Sequence, residues 1–179
     1  MKTKEMMYVS LFTAIVAALG ILPPVTLPFI PVPITAQTLG VMLAGTVLGA
    51  RLGGLSLLVF LLLVIAGAPV LSGGRGGLGV IFGPSGGFIL SWPISAFVIG
   101  LLIEKTVPHL NFIKVLGINI IAGILLVYLI GIPWIAVMTN ISITQAAIGS
   151  AIFLPGDLIK AAIVSSFAPQ LIKRLNLRK

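Results

Sequence analysis

Residues 115–131 read VLGINIIAGILLVYLIG and contain no charged side chain. An α-helix rises about 1.5 Å per residue, so this stretch is long enough to cross the hydrocarbon core of a bilayer. A helix satisfies its own backbone hydrogen bonds, which water cannot do inside a membrane. The segment therefore predicts a transmembrane helix.

The composition of the whole chain agrees with this prediction. Of its 179 residues, 59% are hydrophobic and 8% are charged, and the mean hydropathy is +1.26. Soluble domains usually carry about 25% charged residues. We therefore expect an integral membrane protein embedded in the lipid bilayer, with residues 1–179 forming a single domain.

Further apolar stretches predict an all-α bundle of six transmembrane helices. The second and third spans are short, and Arg51 with the Gly53-Gly54 pair indicates a tight turn between them. Residues 23–35 carry five prolines, which predict an extended loop. Residues 104–114 and 132–144 are expected to lie at the membrane surfaces. The predicted spans are 7–22, 36–50, 52–66, 88–103, 115–131 and 145–172.

The distribution of basic residues predicts the orientation of this bundle. Six spans place both termini on one side, and nine of the eleven basic residues fall on that side. Cytoplasmic loops are enriched in Lys and Arg, so both termini are predicted to be cytoplasmic. Topology thus explains most of the net charge of +8, which we do not interpret as a nucleic-acid site. The nine residues are Lys2, Lys4, Arg51, Lys105, Lys114, Lys173, Arg174, Arg178 and Lys179.

Several kinds of chemistry are excluded or disfavoured by residue content. The chain has no cysteine, which excludes disulfides and thiolate ligands, and its single histidine, His109, argues against a metal centre. GRGGLG (74–79) matches a dinucleotide fingerprint only formally, because no strand–helix unit surrounds it. No phosphate-binding loop motif is present, so the chain has no nucleotide motor of its own. We expect no cofactor and no enzymatic activity; an intramembrane enzyme using one aspartate would lack a partner group.

Two charges inside the last span are not explained by topology. Asp157 and Lys160, in LPGDLIKA (154–161), are three residues apart and can share one helix face. A charge at membrane depth costs at least about 2.5–3.5 kcal/mol and is functional by default. We predict that the pair lines a ligand site; the alternative is a structural ion pair. Pro155 and Gly156 predict a break in the helix just before Asp157.

The third unexplained charge is Arg75, which lies among eight glycines in residues 72–87. A guanidinium with exposed backbone around it suits a carboxylate ligand, and the alternative is a solvated arginine in a flexible outer loop. Polar and aromatic neighbours could complete the pocket, although a helix-start role for Gln37 and a membrane-anchor role for Trp92 are alternatives. These candidates are Thr35, Gln37, Phe82, Ser85 and Trp92.

Small residues recur every four positions on the first helix, at Ser10, Ala14 and Ala18, and around the second, at Gly45, Gly49 and Gly53. Such stripes let helices approach closely. We interpret them as packing inside the bundle, with an external partner as the alternative. Asn119 and Tyr128 are predicted to form hydrogen bonds between helices.

Three segments together resemble the BioY family, the biotin-binding S components of energy-coupling factor (ECF) transporters. They are PVPITAQTLGVMLAG (31–45), GGRGGLGVIFGPSGGF (73–88) and LPGDLIKA (154–161), in this order along nearly the whole chain. The family pattern commonly has threonine where Ser85 stands, which keeps the hydroxyl.

The resemblance implies a prokaryotic, multi-pass plasma-membrane protein that captures biotin from outside and closes its first loop over it. It further implies docking on a transmembrane coupling protein served by two ABC-type ATPases. Asp157 and Lys160 carry over as biotin-binding residues, Arg75 falls in a ligand-contacting loop, and Ala14 and Ala18 become candidates for docking. Whether Lys160 or Arg75 holds the biotin carboxylate stays open. The alternatives are an S component for a different vitamin and a non-catalytic structural membrane subunit.

Overall fold

The computed structural model describes residues 2–27, 30–106 and 110–175. The predictions for His109, Arg178 and Lys179 concern positions outside these ranges, and no side chain is described after residue 172.

Helices form most of the described chain. Four helical stretches in it are long and apolar enough to cross a membrane: Gln37–Ile65, Gly86–Thr106, Phe112–Thr139 and Ile143–Ile172. The elements in chain order are α1 (Thr3–Leu19), β1 (Val25–Leu27), β2 (Ile30–Ile34), α2 (Gln37–Ile65), α3 (Leu78–Ile81), α4 (Gly86–Thr106), α5 (Phe112–Ile118), a π-helix (Asn119–Leu125), α6 (Leu126–Thr139), α7 (Ile143–Ser150), a 3₁₀ turn (Ala151–Phe153) and α8 (Leu154–Leu175).

The helix α2 folds back on itself. A straight helix of its 29 residues would be about 43 Å long. Gln37, at its start, nevertheless hydrogen-bonds to Val70 and Ser72, only a few residues past its end. The two arms, 37–48 and 50–65, must therefore lie antiparallel. This confirms a turn between two short helical stretches, but Arg51, Gly53 and Gly54, which were predicted to form it, lie within the second arm.

The fold-back occurs at Gly49, whose φ of 83° is in the region that favours glycine. The next amide, the N–H of Ala50, donates to Glu104 Oε1 at 2.8 Å. This carboxylate from α4 satisfies a backbone donor exposed at the start of the second arm. Glycines confirm the predicted close packing here: a Cβ on Gly53 would lie 2.9 Å from the carbonyl oxygen of Ala44.

The proline-rich segment is extended, as predicted, but it also forms two paired strands. β1 and β2 are antiparallel, with Val25 opposite Ile34 and Leu27 opposite Ile30. The pairing was not predicted, because proline cannot donate a ladder hydrogen bond and argues against strands except at edges. We call the paired strands β1 and β2 the first-loop hairpin.

Two predictions about helix boundaries were wrong. The fifth span was predicted to end at residue 131, but α6 continues through Pro133 to Thr139, and Asn140 follows it in the left-handed conformation. The helix also does not break just before Asp157. Pro155 lies in the first turn of α8, where its missing N–H is not needed, and the irregular 3₁₀ turn comes earlier.

The small-residue stripe of α1 does not pack inside the bundle, so that interpretation is corrected. Ser10, Ala14 and Ala18 are exposed. The opposite face of the helix is buried instead, because its larger apolar side chains exclude more surface from solvent; it consists of Val9, Phe12, Thr13 and Val16.

Two apolar clusters organise the interior. The larger one joins α1, both arms of α2 and α4, around fully buried side chains such as Met42, Phe60 and Ile99. The smaller one brings Val32 of the first-loop hairpin together with Phe88 and Phe153. The candidate site lies beside this second cluster.

Candidate functional site

A cavity opens where the first-loop hairpin meets the ends of several helices. Its empty volume is about 640 Å³, including the space at its mouth. Elements distant in sequence contribute to its wall: the hairpin, the start of α2, the glycine-rich segment, α4, the π-helix with α6, and α8.

Asp157 is the carboxylate of this cavity, and the residue is only 7% exposed. Its Oδ2 accepts a hydrogen bond from the Tyr128 hydroxyl at 2.9 Å. Its Oδ1 accepts from Thr38 Oγ1 at 3.2 Å and from Lys160 Nζ at 3.0 Å. A buried charge needs such partners, and Tyr128 thereby confirms its predicted role as an interhelical hydrogen-bonding group.

Lys160 shares the cavity with Asp157, as the three-residue spacing predicted. Its Nζ donates to the Thr35 carbonyl at 2.7 Å, to Thr38 Oγ1 at 2.9 Å and to Asp157 Oδ1 at 3.0 Å. An ammonium group has three protons. All three are therefore engaged by the protein itself.

Arg75 lines the same cavity but is bound much less completely. Its Nε donates to the Ser72 carbonyl at 3.1 Å, and no other hydrogen bond or ion pair of this guanidinium occurs among the described residues. Burial lowers the pKa of Arg75, although a guanidinium remains charged at physiological pH. Four of its five N–H donors have no acceptor in the part of the chain that the structure describes, which leaves a fork suited to a carboxylate.

Trp92 contributes an indole that is 5% exposed and stacks obliquely on Phe60 at 5.8 Å between ring centroids. Its Nε1–H has no hydrogen-bond partner within the described part of the chain. A buried unsatisfied donor is costly and calls for an explanation. Since Trp92 lines the cavity, a ligand acceptor is one such explanation.

The structure brings seven of the eight predicted site residues to this cavity. Phe82 is the one it does not bring there, because it ends α3 and points outward, with 68% of its surface exposed. Gln37 lines the cavity, but its amide is already used: it donates to the carbonyls of Val16 and Val70 and accepts from Ser72. Gln37 thus holds the glycine-rich segment that carries Arg75.

The apolar wall contains residues that sequence reasoning missed. Phe88 makes edge-to-face contacts with Tyr128 at 6.2 Å and with Phe153 at 6.3 Å between ring centroids. Thr38, which bridges Asp157 and Lys160, was also missed. Thr38 directly follows Gln37 in the quoted 31–45 segment and Phe88 closes the 73–88 segment, so position within those motifs was the available signal.

Helices long and apolar enough to cross a membrane, arranged around a cavity with buried charges and an aromatic wall, are typical of a helical membrane protein with a candidate small-molecule site. Comparison with known proteins then identifies the family. The family model described as "BioY family" matches residues 1–177. The chain belongs to the BioY family.

Similar proteins cover almost the full length of the chain. It is 47% identical over 170 residues to the biotin transporter BioY of Rhizobium etli, covering 92% of this chain and 91% of that protein. It is 46% identical to the probable biotin transporter BioY of Bacillus subtilis, covering 99% of this chain and 95% of that protein. The crystal structure of the S-component for biotin from an ECF-type ABC transporter matches with a TM-score of 0.93 and 35% identity, covering 99% and 100% of the two chains.

Proposed function

We propose that this chain captures biotin in the cavity beside Asp157 and is the substrate-specific S component of an ECF-type ABC transporter. The observation that carries the proposal is a buried carboxylate with organised partners in an otherwise apolar and aromatic cavity. The relatives named as biotin transporters and the matching S component for biotin support it.

The unequal bonding of the two cations supports an orientation for the ligand. Biotin carries a polar ureido ring at one end and a carboxylate at the other. Asp157 is an acceptor suited to the ureido N–H groups, and Phe88 and Phe153 offer an apolar wall for the sulfur ring. All three N–H donors of Lys160 are already hydrogen-bonded to described residues, whereas Arg75 uses one of its five. The biotin carboxylate is therefore assigned to Arg75.

The proposal includes six membrane crossings, with each arm of α2 as one crossing and both termini cytoplasmic. The fold-back at Gly49 and the positive-inside distribution support this topology. The chain would then be a multi-pass plasma-membrane protein of a prokaryote. It would bind without catalysing a reaction, and ATP would be hydrolysed by two ATPase partners on a transmembrane coupling protein.

Equilibrium binding to the detergent-purified chain tests the site, using labelled biotin and competition by biotin or its uncharged primary amide. Asp157→Asn should weaken both ligands about 10- to 100-fold, because a hydrogen bond to a charged group contributes about 1.5–3 kcal/mol. Arg75→Ala should weaken biotin by a similar factor and leave the amide almost unchanged, because only biotin is charged at that end.

Glu5→Gln and Arg51→Ala are matched controls, since neither residue lines the cavity. They should bind like the wild type. Absence of saturable biotin binding by folded wild type would refute the function, and an unrelated vitamin that displaces biotin more tightly would favour the alternative S component. Equal losses of biotin and its amide in Arg75→Ala would refute the orientation.

A further inference from the structure

The fifth predicted span contains a wide helical turn in its middle. Residues Asn119–Leu125 form a π-helix between α5 and α6, whose backbone bonds join residues five apart instead of four. Such turns are rare and are frequent at functional sites. This one comes just before Val127 and Tyr128, which line the cavity together with Gly123 of the π-helix itself. The wide turn therefore lies where this helix meets the candidate site.

The wide turn sets the direction in which Tyr128 points. Asn119 and Tyr128 are nine residues apart, and an α-helix turns by about 100° per residue, so a regular helix would place them on nearly opposite sides. In the structure both face the protein: Asn119 is fully buried, and the Tyr128 hydroxyl donates to Asp157 Oδ2 at 2.9 Å. The π-helix accommodates one extra residue and so removes about 100° of this rotation. In a regular helix, the hydroxyl would not reach Asp157.

Two buried polar side chains hold this irregular segment. Asn119 Nδ2 donates to the Val115 carbonyl at 3.0 Å, one turn earlier, and to Thr46 Oγ1 of α2 at 3.2 Å. Ser95 of α4 donates to the Ala122 carbonyl, inside the π-helix, at 2.7 Å. Side chains that bond to helix carbonyls compete with the backbone ladder and favour irregular turns. Asn119 and Ser95 thus connect the π-helix to two neighbouring helices.

We propose that Asn119 and Ser95 are positioning residues: they stabilise the π-helix, and the π-helix directs the Tyr128 hydroxyl to Asp157. The proposal rests on the proposed function where it concerns biotin, since Asp157 is taken to hold the ureido end. Neither side chain acts on the ligand directly, because neither lines the cavity. Loss of both side chains lets the segment relax to a regular helix, which moves the hydroxyl away from Asp157 and weakens binding.

The position of the Tyr128 hydroxyl can be measured without any ligand. The chain has two tyrosines, so 3-fluorotyrosine incorporated into a Tyr8→Phe background labels position 128 alone. Asp157→Asn should shift the fluorine resonance, which gives the signal of a hydroxyl that has lost its carboxylate acceptor. Ser95→Ala/Asn119→Leu, which we call the double variant, should shift the resonance by a comparable amount. Ser95→Ala alone should shift it less, because Asn119 still holds the π-helix.

Deletion of one residue provides a rescue that a merely structural role does not predict. Ile121 belongs to the π-helix, has 58% of its surface exposed and does not line the cavity. With one residue fewer, a regular α-helix directs Tyr128 back toward Asp157. Deleting Ile121 from the double variant should therefore return the fluorine resonance toward its wild-type position and restore most of the biotin affinity.

Equilibrium binding connects the π-helix to the ligand. The double variant should weaken biotin and its primary amide equally, by about 10- to 100-fold, because the lost bond belongs to the ureido end. Tyr128→Phe should weaken both ligands by a similar factor. Adding it to the double variant should cost less than about threefold more, since both changes remove the same bond. Thr139→Val is the control: it removes a bond to the Ile135 carbonyl further along α6 and should change neither affinity nor resonance.

An unchanged fluorine resonance in the double variant would overturn the proposal whatever the ligand is. A loss of affinity that the deletion of Ile121 does not restore would also overturn it, because a bundle that is only destabilised gains nothing from losing a residue. Fully additive losses on combination with Tyr128→Phe would do the same. If folded wild type bound no biotin, the proposed function would fail, while the fluorine resonances would still decide the role of Asn119 and Ser95.

Discussion

At the scale of single residues, the two tryptophans differ in the hydrogen bonding of the same group. Trp134 Nε1 donates to the Gly83 carbonyl at 2.9 Å, where it ties α6 to the end of the glycine-rich segment. Trp92 Nε1 has no partner among the described residues, although its indole is buried. One N–H is therefore bonded within the protein, and the other has no partner among the described residues.

Replacing Trp92 with phenylalanine should mainly weaken ligand binding, and replacing Trp134 should mainly lower Tm. Trp92→Phe should weaken biotin about 2- to 10-fold, the value of one neutral hydrogen bond, with a small change in Tm. Trp134→Phe should lower Tm more and leave affinity almost unchanged, because it removes a bond present without ligand. Titration and thermal unfolding of both variants in detergent would check this, and a Trp92→Phe variant with full affinity would contradict it.

At the scale of elements, the fold-back of α2 depends on a contact with α4. The Glu104 carboxylate fills the place where a Cβ on Gly49 would lie, and it accepts from the Ala50 amide. Sequence reasoning assigned Glu104 only to a polar surface segment, because nothing local indicates that it reaches a helix start 54 residues away. The turn itself was predictable, since Arg51 and the adjacent glycines interrupt two apolar stretches.

Removing the Glu104 acceptor should destabilise the fold-back between the two arms of α2. Glu104→Ala should lower the free energy of unfolding by about 1–3 kcal/mol, because it leaves the Ala50 N–H without its partner. Glu104→Gln keeps an acceptor oxygen and should cost less. Thermal unfolding would rank them, with Glu5→Ala as the control, since Glu5 accepts only an exposed bond from the Lys2 amide. Equal stability of Glu104→Ala and wild type would refute the role.

At the scale of the whole molecule, α1 exposes a stripe of small residues on its outer side. Ala14 and Ala18 are exposed on it, one helical turn apart, together with Ser10. Small side chains let a second helix approach closely. We propose that the coupling protein docks here, on the side of α1 away from the buried core, as the resemblance implied for Ala14 and Ala18.

Leucine at both positions should separate binding from transport. Ala14→Leu/Ala18→Leu should bind biotin like the wild type when purified, because neither residue lines the cavity. Uptake of labelled biotin by cells that express the complete transporter should fall by at least about tenfold, since the bulky side chains hold the partner helix away. Ser166→Leu, at an exposed position on α8, is the control and should transport normally. Normal uptake by the α1 variant would refute docking of the coupling protein at this face.

The sequence by itself indicated the membrane character, most helical segments and the three charges that topology does not explain. Hydropathy and the cost of a charge in hydrocarbon are properties of residues and short segments, so they can be read locally. Asp157, Lys160 and Arg75 stood out because topology explained the other charged residues. Local rules also failed where packing overrides them, as in the proline-containing α6.

The tertiary structure alone decided which of these residues meet. It brought Tyr128 to Asp157 across 29 residues and Lys160 to Thr35 across 125, left Phe82 outside the cavity, and turned the small residues of α1 outward. It also showed that all three ammonium protons of Lys160 are hydrogen-bonded within the protein, whereas Arg75 donates one hydrogen bond to a described residue. Such facts follow from how distant helices pack and rotate against one another, and no pattern within a single segment encodes them.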